Sequence, residues 1–389
     1  MERIFITGMS MLTSRGNSQN DFWRSLNNPS SHDMDGVKIP LDIPQVISNN
    51  VARRMDRFAK LTLTSAVLAI EDSSFYGQEY DPYRIGTVFN TGYGPINSSI
   101  SFSSKLLAEG VDMVSPTVFA GTVTNSGIGH TCINLKIKGA STMLGGSNSI
   151  GCACDLLDAG KADALFVGGI DEYSSELYDC FKQKDYVVKD NDFICRPMDM
   201  NRNGIRISEG AAVMVFERED APFFNYEKAV CEVLGYGTAI SYSKVGTATE
   251  PIENDAFINA MKSALDDAHI SNSQIDGIFM AANGGKFAEQ AEATAIHNVF
   301  GERAAQIPVT AIKGAVGETM GASFCLNTIA AAIGVKNGMM PPTIGCIEPD
   351  RELGLNIIFK ETLKRDLRYV MVNGFDVSNN VYSLILKAK

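Results

Sequence analysis

The sequence predicts a protein of the α/β class, and three observations support this prediction. Its 389 residues are 45% hydrophobic, which is enough apolar material for a large buried core. Short apolar runs of strand-like composition alternate with longer segments in which apolar residues recur at helical spacing. The order of these elements in the first half then recurs in the second half, and such a duplication of βα units predicts one compact molecule.

The first half opens with a strand and then alternates. Residues 4–12 are apolar and predict a strand, whereas the polar, proline-containing stretch 27–48 predicts an extended surface loop. Apolar side chains recur near helical spacing over residues 53–73, which predicts a long buried helix. A strand over 84–90 and a helix that includes 100–107 follow.

Residues 115–135 contain many small side chains after Pro116. Small side chains let neighbouring backbones approach closely, as in protein interiors. We therefore expect a helix here that lies at the centre of the fold or of an interface.

The stretch 139–169 reads GASTMLGGSNSIGCACDLLDAGKADALFVGG and is typical of a chain that presents a nucleophile. It predicts a strand over 141–144, a turn at Gly145 and Gly146, a helix and a second strand. Glycines allow the sharp turn, and a helix N-terminus stabilises developing negative charge. The turn nevertheless holds Met143 and Leu144, neither of which is a nucleophile.

The second half repeats this order of elements. Its predicted strands cover 230–237, 277–283, 307–310, 368–375 and 381–387, and its predicted helices cover 254–268, 289–299 and 323–336. We place the division after residue 228, so that 1–228 and 229–389 are two halves of one compact unit.

Composition excludes several classes of function. The net charge of −11 argues against binding of nucleic acid, whose partners concentrate Lys and Arg. The eight cysteines and four histidines form no ligand cluster, so we expect reduced thiols, no metal and no cofactor. No apolar run is long enough to span a membrane, and the sequence enters a strand without a signal-peptide pattern, so we expect a cytoplasmic protein.

Four segments occur in an order that is characteristic of a known family. They are ITGMSML near the start, residues 196–217, residues 313–345 and VNGF at 372–375. Together they resemble the β-ketoacyl-acyl-carrier-protein synthase family over nearly the whole chain. The resemblance implies a thiolase-like fold with five αβαβα layers, in which two mixed sheets enclose a central pair of helices, and it implies a dimer.

Active members of that family carry a cysteine nucleophile and two histidines, and the resemblance locates these positions here. The cysteine position falls on Met143, or on Leu144 if the match slips by one residue. The first histidine position falls within Ala281 to Asn283, most simply on Asn283, and the second is Glu318. None of these residues can perform the family's chemistry. We expect Met143 and Leu144 to fill the vacated pocket, and lining it is the alternative.

Two further features bear on the vacated site. Lys313, a lysine of the family, is retained, and a structural ion pair with Glu318 is as plausible as a chemical role. The family's glycine-rich gate is replaced by Asp376, Val377 and Ser378, which puts gating of acyl access in doubt.

Loss of the nucleophile, both histidines and the gate on a retained scaffold resembles chain-length factors, the ketosynthase β subunits of type II polyketide synthases. This resemblance implies a catalytically inactive subunit of an acyltransferase complex. It would form a heterodimer with an active ketosynthase α subunit and shape the tunnel in which a polyketide grows on an acyl carrier protein. Aromatic polyketide and aryl-polyene pathways are both compatible. A decarboxylating relative fits less well, because it still needs the histidines.

Two alternative functions stay open. One is an acyltransferase of thiolase fold with Ser147 or Ser149 as an unconventional nucleophile, and the other is a purely structural or regulatory relative.

Phe119 and Thr122 lie where family members meet their partner, so they are candidates for the tunnel or the interface.

A charged loop could be mistaken for a carrier-protein docking patch. It contains Arg196, Asp199, Arg202 and Glu209, whose order matches the family. We therefore expect an internal ion-pair network rather than a docking site.

Overall fold

The structure is a computed structural model that describes residues 3–28, 38–40, 46–189, 194–241 and 253–389. Most of the loop predicted over 27–48 lies outside these residues. The strands are β1 (Ile4–Thr13), β2 (Ile85–Thr91), β3 (Ser141–Gly145), β4 (Ala164–Asp171), β5 (Gly210–Arg218), β6 (Cys231–Ile240), β7 (Gly277–Phe279), β8 (Pro308–Thr310), β9 (Met339–Met340), β10 (Asn356–Ile357), β11 (Leu363–Lys364), β12 (Tyr369–Phe375) and β13 (Asn380–Ala388).

The α-helices follow the strands in the alternating order that the sequence predicts. They are α1 (Gln19–Leu26), α2 (Asn49–Ala52), α3 (Arg57–Asp72), α4 (Ile96–Glu109), α5 (Pro116–Ala120), α6 (Ser126–Leu135), α7 (Ser149–Asp158), α8 (Ser175–Gln183), α9 (Asn254–Asp267), α10 (Lys286–Phe300), α11 (Lys313–Val316) and α12 (Ser323–Asn337). Helix α3 begins four residues later than predicted, because the Asp56 side chain accepts a hydrogen bond from the Ala59 amide at 2.8 Å and caps the helix there.

The two halves have the same sheet topology. In the first half the strands lie in the order β1-β5-β4-β2-β3, and in the second half in the order β6-β13-β12-β7-β8. Each half has the same succession of two antiparallel pairs followed by two parallel pairs. The predicted duplication is therefore confirmed. We propose the division after residue 228, which falls between β5 and β6.

The two sheets are joined at their edges. A short antiparallel ladder pairs Ile4, Phe5 and Ile6 of β1 with Val233, Glu232 and Cys231 of β6. The two five-stranded units, with β10 added beside β8, thus form one eleven-stranded sheet. The sequence predicts the two units but not this connection.

Helices α7 and α12 occupy the space between the two units. Helix α12 is buried along residues 323–335, and one hydrophobic core contains side chains of both helices and of both sheet units. Helices α3 and α6 lie outside the first unit, and α9 and α10 lie outside the second. The five αβαβα layers are therefore confirmed. Among the described residues, no helix has the length and apolar character that crossing a bilayer requires.

The expectation of one central helix over residues 115–135 is wrong. This segment forms the two short helices α5 and α6, and much of it lies on the surface of the chain. Phe119 is 56% exposed and Ile133 is 77% exposed. Close packing occurs at Gly127, where a Cβ would lie 2.6 Å from Oγ1 of Thr62 on α3. The small residues thus serve one contact within the chain, and their role in an interface stays a prediction.

Candidate functional site

The site is built around the glycine turn between β3 and α7. Gly146 has a φ of 98°, and a Cβ there would lie 2.3 Å from Oδ2 of Asp376, so only glycine fits. Asn90 on β2 fixes the turn, because its Nδ2 donates to the carbonyl oxygens of Gly146 at 2.8 Å and Gly321 at 2.7 Å. The turn is therefore held by residues of both halves.

Met143 and Leu144 lie on opposite faces of β3. Met143 pairs with Phe89 of β2, and Leu144 pairs with Asn90. Because side chains alternate along a strand, Met143 packs against the outer core beside α3 and α6, whereas Leu144 packs against the central core. Both side chains are partly buried. Which of them replaces the nucleophile stays a prediction.

The carboxylate of Asp376 lies directly against the glycine turn. Its Oδ2 accepts hydrogen bonds from the Ser147 amide at 3.0 Å and from the Tyr382 hydroxyl at 2.5 Å. Its Oδ1 accepts from the Ser378 amide at 2.8 Å, and the Asn380 side-chain amide lies 3.1 Å from Oδ2. The sequence marks Asp376 as a departure from the family's gate, but it does not predict that its side chain reaches the turn.

Aromatic side chains pack behind Asp376. The ring of Tyr382 stacks on Phe324 with a centroid separation of 5.5 Å and on Tyr236 at 6.5 Å. The Tyr236 hydroxyl donates to Oδ1 of Asn148 at 2.5 Å, next to the start of α7. Burial raises the pKa of both tyrosines, and Asp376 raises that of Tyr382 further, so both are neutral donors at ordinary pH. The sequence gives no signal for either tyrosine.

Glu318, which the sequence predicts at the second histidine position, is buried in a closed hydrogen-bonded cluster. Its Oε2 lies 2.8 Å from Nζ of Lys313 and 2.8 Å from Nδ2 of Asn283, and its Oε1 accepts from the Ser323 hydroxyl at 2.5 Å. Burial opposes ionisation, but Lys313 and these hydrogen bonds hold the pKa of Glu318 below its usual value. The predicted ion pair is present, and a hydrogen bond joins Glu318 to Asn283, the residue that most simply matches the predicted first histidine position.

Two buried glutamates of α10 fix the loop that carries Asn283. The Ala281 amide donates to Glu292 at 3.0 Å, and the Gly284 amide donates to Glu289 at 2.6 Å. Burial raises the pKa of each glutamate to about 7. Of the stretch from Ala281 to Asn283, Asn283 is the residue whose side chain donates a hydrogen bond to Glu318.

Neither serine of the alternative proposal has its hydroxyl hydrogen-bonded to a histidine or a carboxylate among the described residues. Ser147 and Ser149 are both fully buried. The Ser147 hydroxyl has no hydrogen-bond partner among the described residues, and the Ser149 hydroxyl lies 3.6 Å from Sγ of Cys325. Of the described histidines, His297 contacts the Leu353 carbonyl at 2.9 Å, away from this turn.

Two of the four charged residues in the predicted ion-pair loop pair with distant elements. Arg202 lies 3.0 Å from Glu289 and 2.6 Å from Asp350. Glu209 pairs with Arg57 at 2.5 Å. Arg202 and Glu209 therefore form ion pairs within the chain, as expected. Their partners lie outside the loop, so these pairs anchor the loop to the core.

Several large hydrophobic side chains of the first half are exposed, and we refer to them together as the apolar face. Strand β3 is the end strand of the large sheet, with β2 as its only neighbour among the described strands. The large hydrophobic side chains exposed nearby in sequence are Leu106, Leu107, Val111, Met113, Val118, Phe119, Val123 and Ile133. Phe119 packs on Phe102 at 5.3 Å, and the Thr122 hydroxyl donates to the Phe119 carbonyl at 2.8 Å. Exposed apolar side chains and an open strand edge each suit contact with a protein partner.

The described residues contain no group of three or more His, Cys, Asp or Glu side chains that could hold a metal ion. The candidate site consists of the glycine turn, the Glu318 cluster and the apolar face.

Comparison with known proteins gives two kinds of match. Models of the N-terminal and C-terminal domains of β-ketoacyl synthases match residues 44–221 and 230–346. A curated relative, 3-oxoacyl-[acyl-carrier-protein] synthase 2 of Staphylococcus aureus (strain COL), is 28% identical over 408 aligned residues, which cover 99% of this chain and 98% of the relative.

Solved structures of the same fold include two that contain chain length factors. The ishigamide ketosynthase/chain length factor has a TM-score of 0.88 at 24% identity, with 100% of this chain and 99% of that chain covered. A ketosynthase in complex with its chain length factor from Xenorhabdus doucetiae has a TM-score of 0.78 at 21% identity, with 100% and 98% covered. At these identities the likeness establishes the fold.

Proposed function

The chain belongs to the β-ketoacyl synthase family, and from this premise we propose that it is a non-catalytic subunit of the chain-length-factor type. It pairs with an active ketosynthase, which condenses malonyl units on an acyl carrier protein. This chain completes the dimer and shapes the tunnel for the growing polyketide.

The observation that carries the proposal is the carboxylate of Asp376 on the glycine turn. It accepts the Ser147 amide hydrogen, so this donor is not available to an oxyanion. A thiolate or oxyanion at the turn would also lie near a like charge, which disfavours its formation. The turn retains the shape of a nucleophile site, but its electrostatics oppose the chemistry.

The Glu318 cluster supports the same function. A group that stabilises negative charge during decarboxylation has to be a donor or a cation. Glu318 is instead an anion, and its charge is balanced by Lys313 at 2.8 Å. The amide of Asn283 donates to that same carboxylate. These polar groups therefore stabilise one another rather than a substrate.

The apolar face supports the pairing with a ketosynthase. We place Phe119 and Thr122 at this interface, beside the open edge of β3. The chain shares its fold with solved complexes of a ketosynthase and its chain length factor, which makes a heterodimer of the same architecture possible. The partner would cover the exposed hydrophobic side chains.

Intact mass spectrometry tests the proposal. The purified chain is incubated with malonyl-loaded carrier protein, alone and together with a candidate partner ketosynthase that carries the full cysteine and histidine set. We expect an acyl adduct on the ketosynthase only, and a stable complex of the two chains in size-exclusion chromatography. A ketosynthase with its cysteine replaced by alanine is the control and should carry no adduct.

An acyl adduct on this chain would contradict the proposal. If Ser147→Ala or Ser149→Ala then removed that adduct, the chain would be an acyltransferase with an unconventional nucleophile. Absence of a complex with the ketosynthase would also contradict the proposed heterodimer.

A further inference from the structure

Arg206 is a cation that the proposed function does not use. It lies on the extended segment before β5, is partly buried, and its Nη2 donates to the Ala315 carbonyl at 2.7 Å. Among the described residues, no carboxylate lies within ion-pair distance of it, and its buried Nε has no hydrogen-bond partner. In the part of the chain that the structure describes, its guanidinium thus donates to backbone carbonyls and not to a carboxylate.

A second unused donor lies two residues further along the same segment. Ser208 is 3% exposed, and its hydroxyl has no hydrogen-bond partner among the described residues. In an extended segment, residues two apart point to the same side, so the Ser208 hydroxyl and the Arg206 side chain share one face. A Cβ at Gly317 would lie 2.2 Å from the Ser208 hydroxyl, so this glycine leaves room for it.

Backbone hydrogen bonds fix this segment beside the Glu318 cluster. The Glu318 amide donates to the Arg206 carbonyl at 2.7 Å, and the Ser208 amide donates to the Glu318 carbonyl at 2.9 Å. Nε of Arg15, on the loop after β1, donates to the Ala315 carbonyl at 3.1 Å. Two guanidinium groups therefore meet at one carbonyl oxygen next to the vacated site.

The buried Nε of Arg206 and the buried hydroxyl of Ser208 have no hydrogen-bond partner among the described residues, and buried donors without acceptors are costly to maintain. Burial lowers the pKa of Arg206, which reflects the cost of holding its charge away from water. A guanidinium N–H and a hydroxyl are the donors that bind carboxylate and phosphate oxygens in proteins. An oxyanion would satisfy both groups at once.

We propose that the Arg206 guanidinium and the Ser208 hydroxyl form a binding site for an oxyanion, which is a carboxylate or a phosphate group of the ligand. The ligand binds at this site without reacting. This proposal does not depend on the proposed function of the chain as a chain-length factor.

Isothermal titration of the purified full chain tests this site. Malonate and inorganic phosphate are the probes, each added at constant ionic strength near pH 7. We expect saturable binding of at least one probe, weakened about tenfold or more in Arg206→Gln and to a smaller extent in Ser208→Ala. The control is Arg351→Gln, an exposed arginine, which should bind as the unsubstituted chain does.

Tighter binding of malonate would identify a carboxylate ligand, and tighter binding of phosphate a phosphoryl ligand. Absence of saturable binding by the unsubstituted chain up to about 10 mM probe would overturn the proposal. Unchanged affinity in both variants would also overturn it. If Arg206→Gln does not fold, the affinity of Ser208→Ala alone tests the proposal. Unchanged affinity in Ser208→Ala would then contradict it. An acyl adduct on this chain would contradict the proposed function but not the oxyanion site, because the titration measures binding and not acylation.

Discussion

Oδ2 of Asp376 lies 3.0 Å from the backbone nitrogen of Ser147. The contact joins the turn between β12 and β13, in the second half, to the turn that precedes α7, in the first half. Oδ2 also accepts the Tyr382 hydroxyl, whose ring packs in the central core. One carboxylate thus fixes the glycine turn before α7 and links the two duplicated halves.

Asp376→Ala should therefore destabilise the chain. It would leave the Ser147 amide and the Tyr382 hydroxyl without their acceptor, and each lost hydrogen bond to a charged group costs about 1.5–3 kcal/mol. We expect the free energy of unfolding in urea to fall by about 3 kcal/mol or more. The exposed Asp366→Ala is the control, with an expected change within about 0.5 kcal/mol. Equal effects of the two substitutions would contradict a structural role for the Asp376 carboxylate.

The fold could be predicted because its signals are local or repeated. Strand β3, the glycine turn and α7 follow from hydrophobic spacing and glycine position within a few residues. The ion pair of Lys313 and Glu318 joins residues five apart, so it too could be expected from the sequence. Helix α3 begins later than predicted because the Asp56 side chain caps it, and hydrophobic periodicity alone does not indicate a cap.

The contacts of the candidate site could be predicted only in part. Asp376 and Ser147 are 229 residues apart, and nothing in either segment indicates the other. For the segment 115–135, the sequence leaves the centre of the fold and an interface as alternatives, because small residues suit close packing within a chain and close packing between chains equally well. Phe119 is exposed in the isolated chain, so the choice between these depends on a partner surface that this sequence does not contain.

The pair of Lys313 and Glu318 should behave as one coupled unit. Lys313→Met leaves a buried carboxylate without its counterion, which costs about 3–5 kcal/mol of unfolding free energy. Lys313→Met combined with Glu318→Gln should cost less than the sum of the single changes, with a coupling energy of about 0.5–3 kcal/mol by double-mutant cycle. Because the folded-state pKa of Glu318 is lowered, this coupling is present near neutral pH and is lost as the pH falls through that pKa. Additive single changes at pH 7 would argue against the pair.

Glu292 should make the chain less stable as the pH rises. Burial raises its pKa to about 7, above the value of about 4.3 in an unfolded chain, so the folded state binds the proton more tightly. Between these two values, unfolding free energy falls with pH by up to about 1.4 kcal/mol per pH unit. Glu292→Gln keeps an acceptor for the Ala281 amide but cannot ionise, so stability measured from pH 5 to 8 should fall less steeply. The exposed Glu302→Gln should retain the original slope, and an equal slope in Glu292→Gln would contradict this prediction.

Phe119→Asp should weaken association without unfolding the chain. Phe119 is 56% exposed, so in the isolated chain its replacement should change unfolding free energy by no more than about 1 kcal/mol. In the proposed heterodimer the same position is buried against the ketosynthase, where an unpaired carboxylate is strongly unfavourable. We expect sedimentation velocity to report at least about tenfold weaker association with the ketosynthase, since a central aromatic side chain in an interface commonly contributes 2 kcal/mol or more. Tyr76→Asp, at a residue 55% exposed on the turn after α3, is the matched control and should associate normally. If both variants associate as the unsubstituted chain does, the apolar face around Phe119 is not the site of pairing.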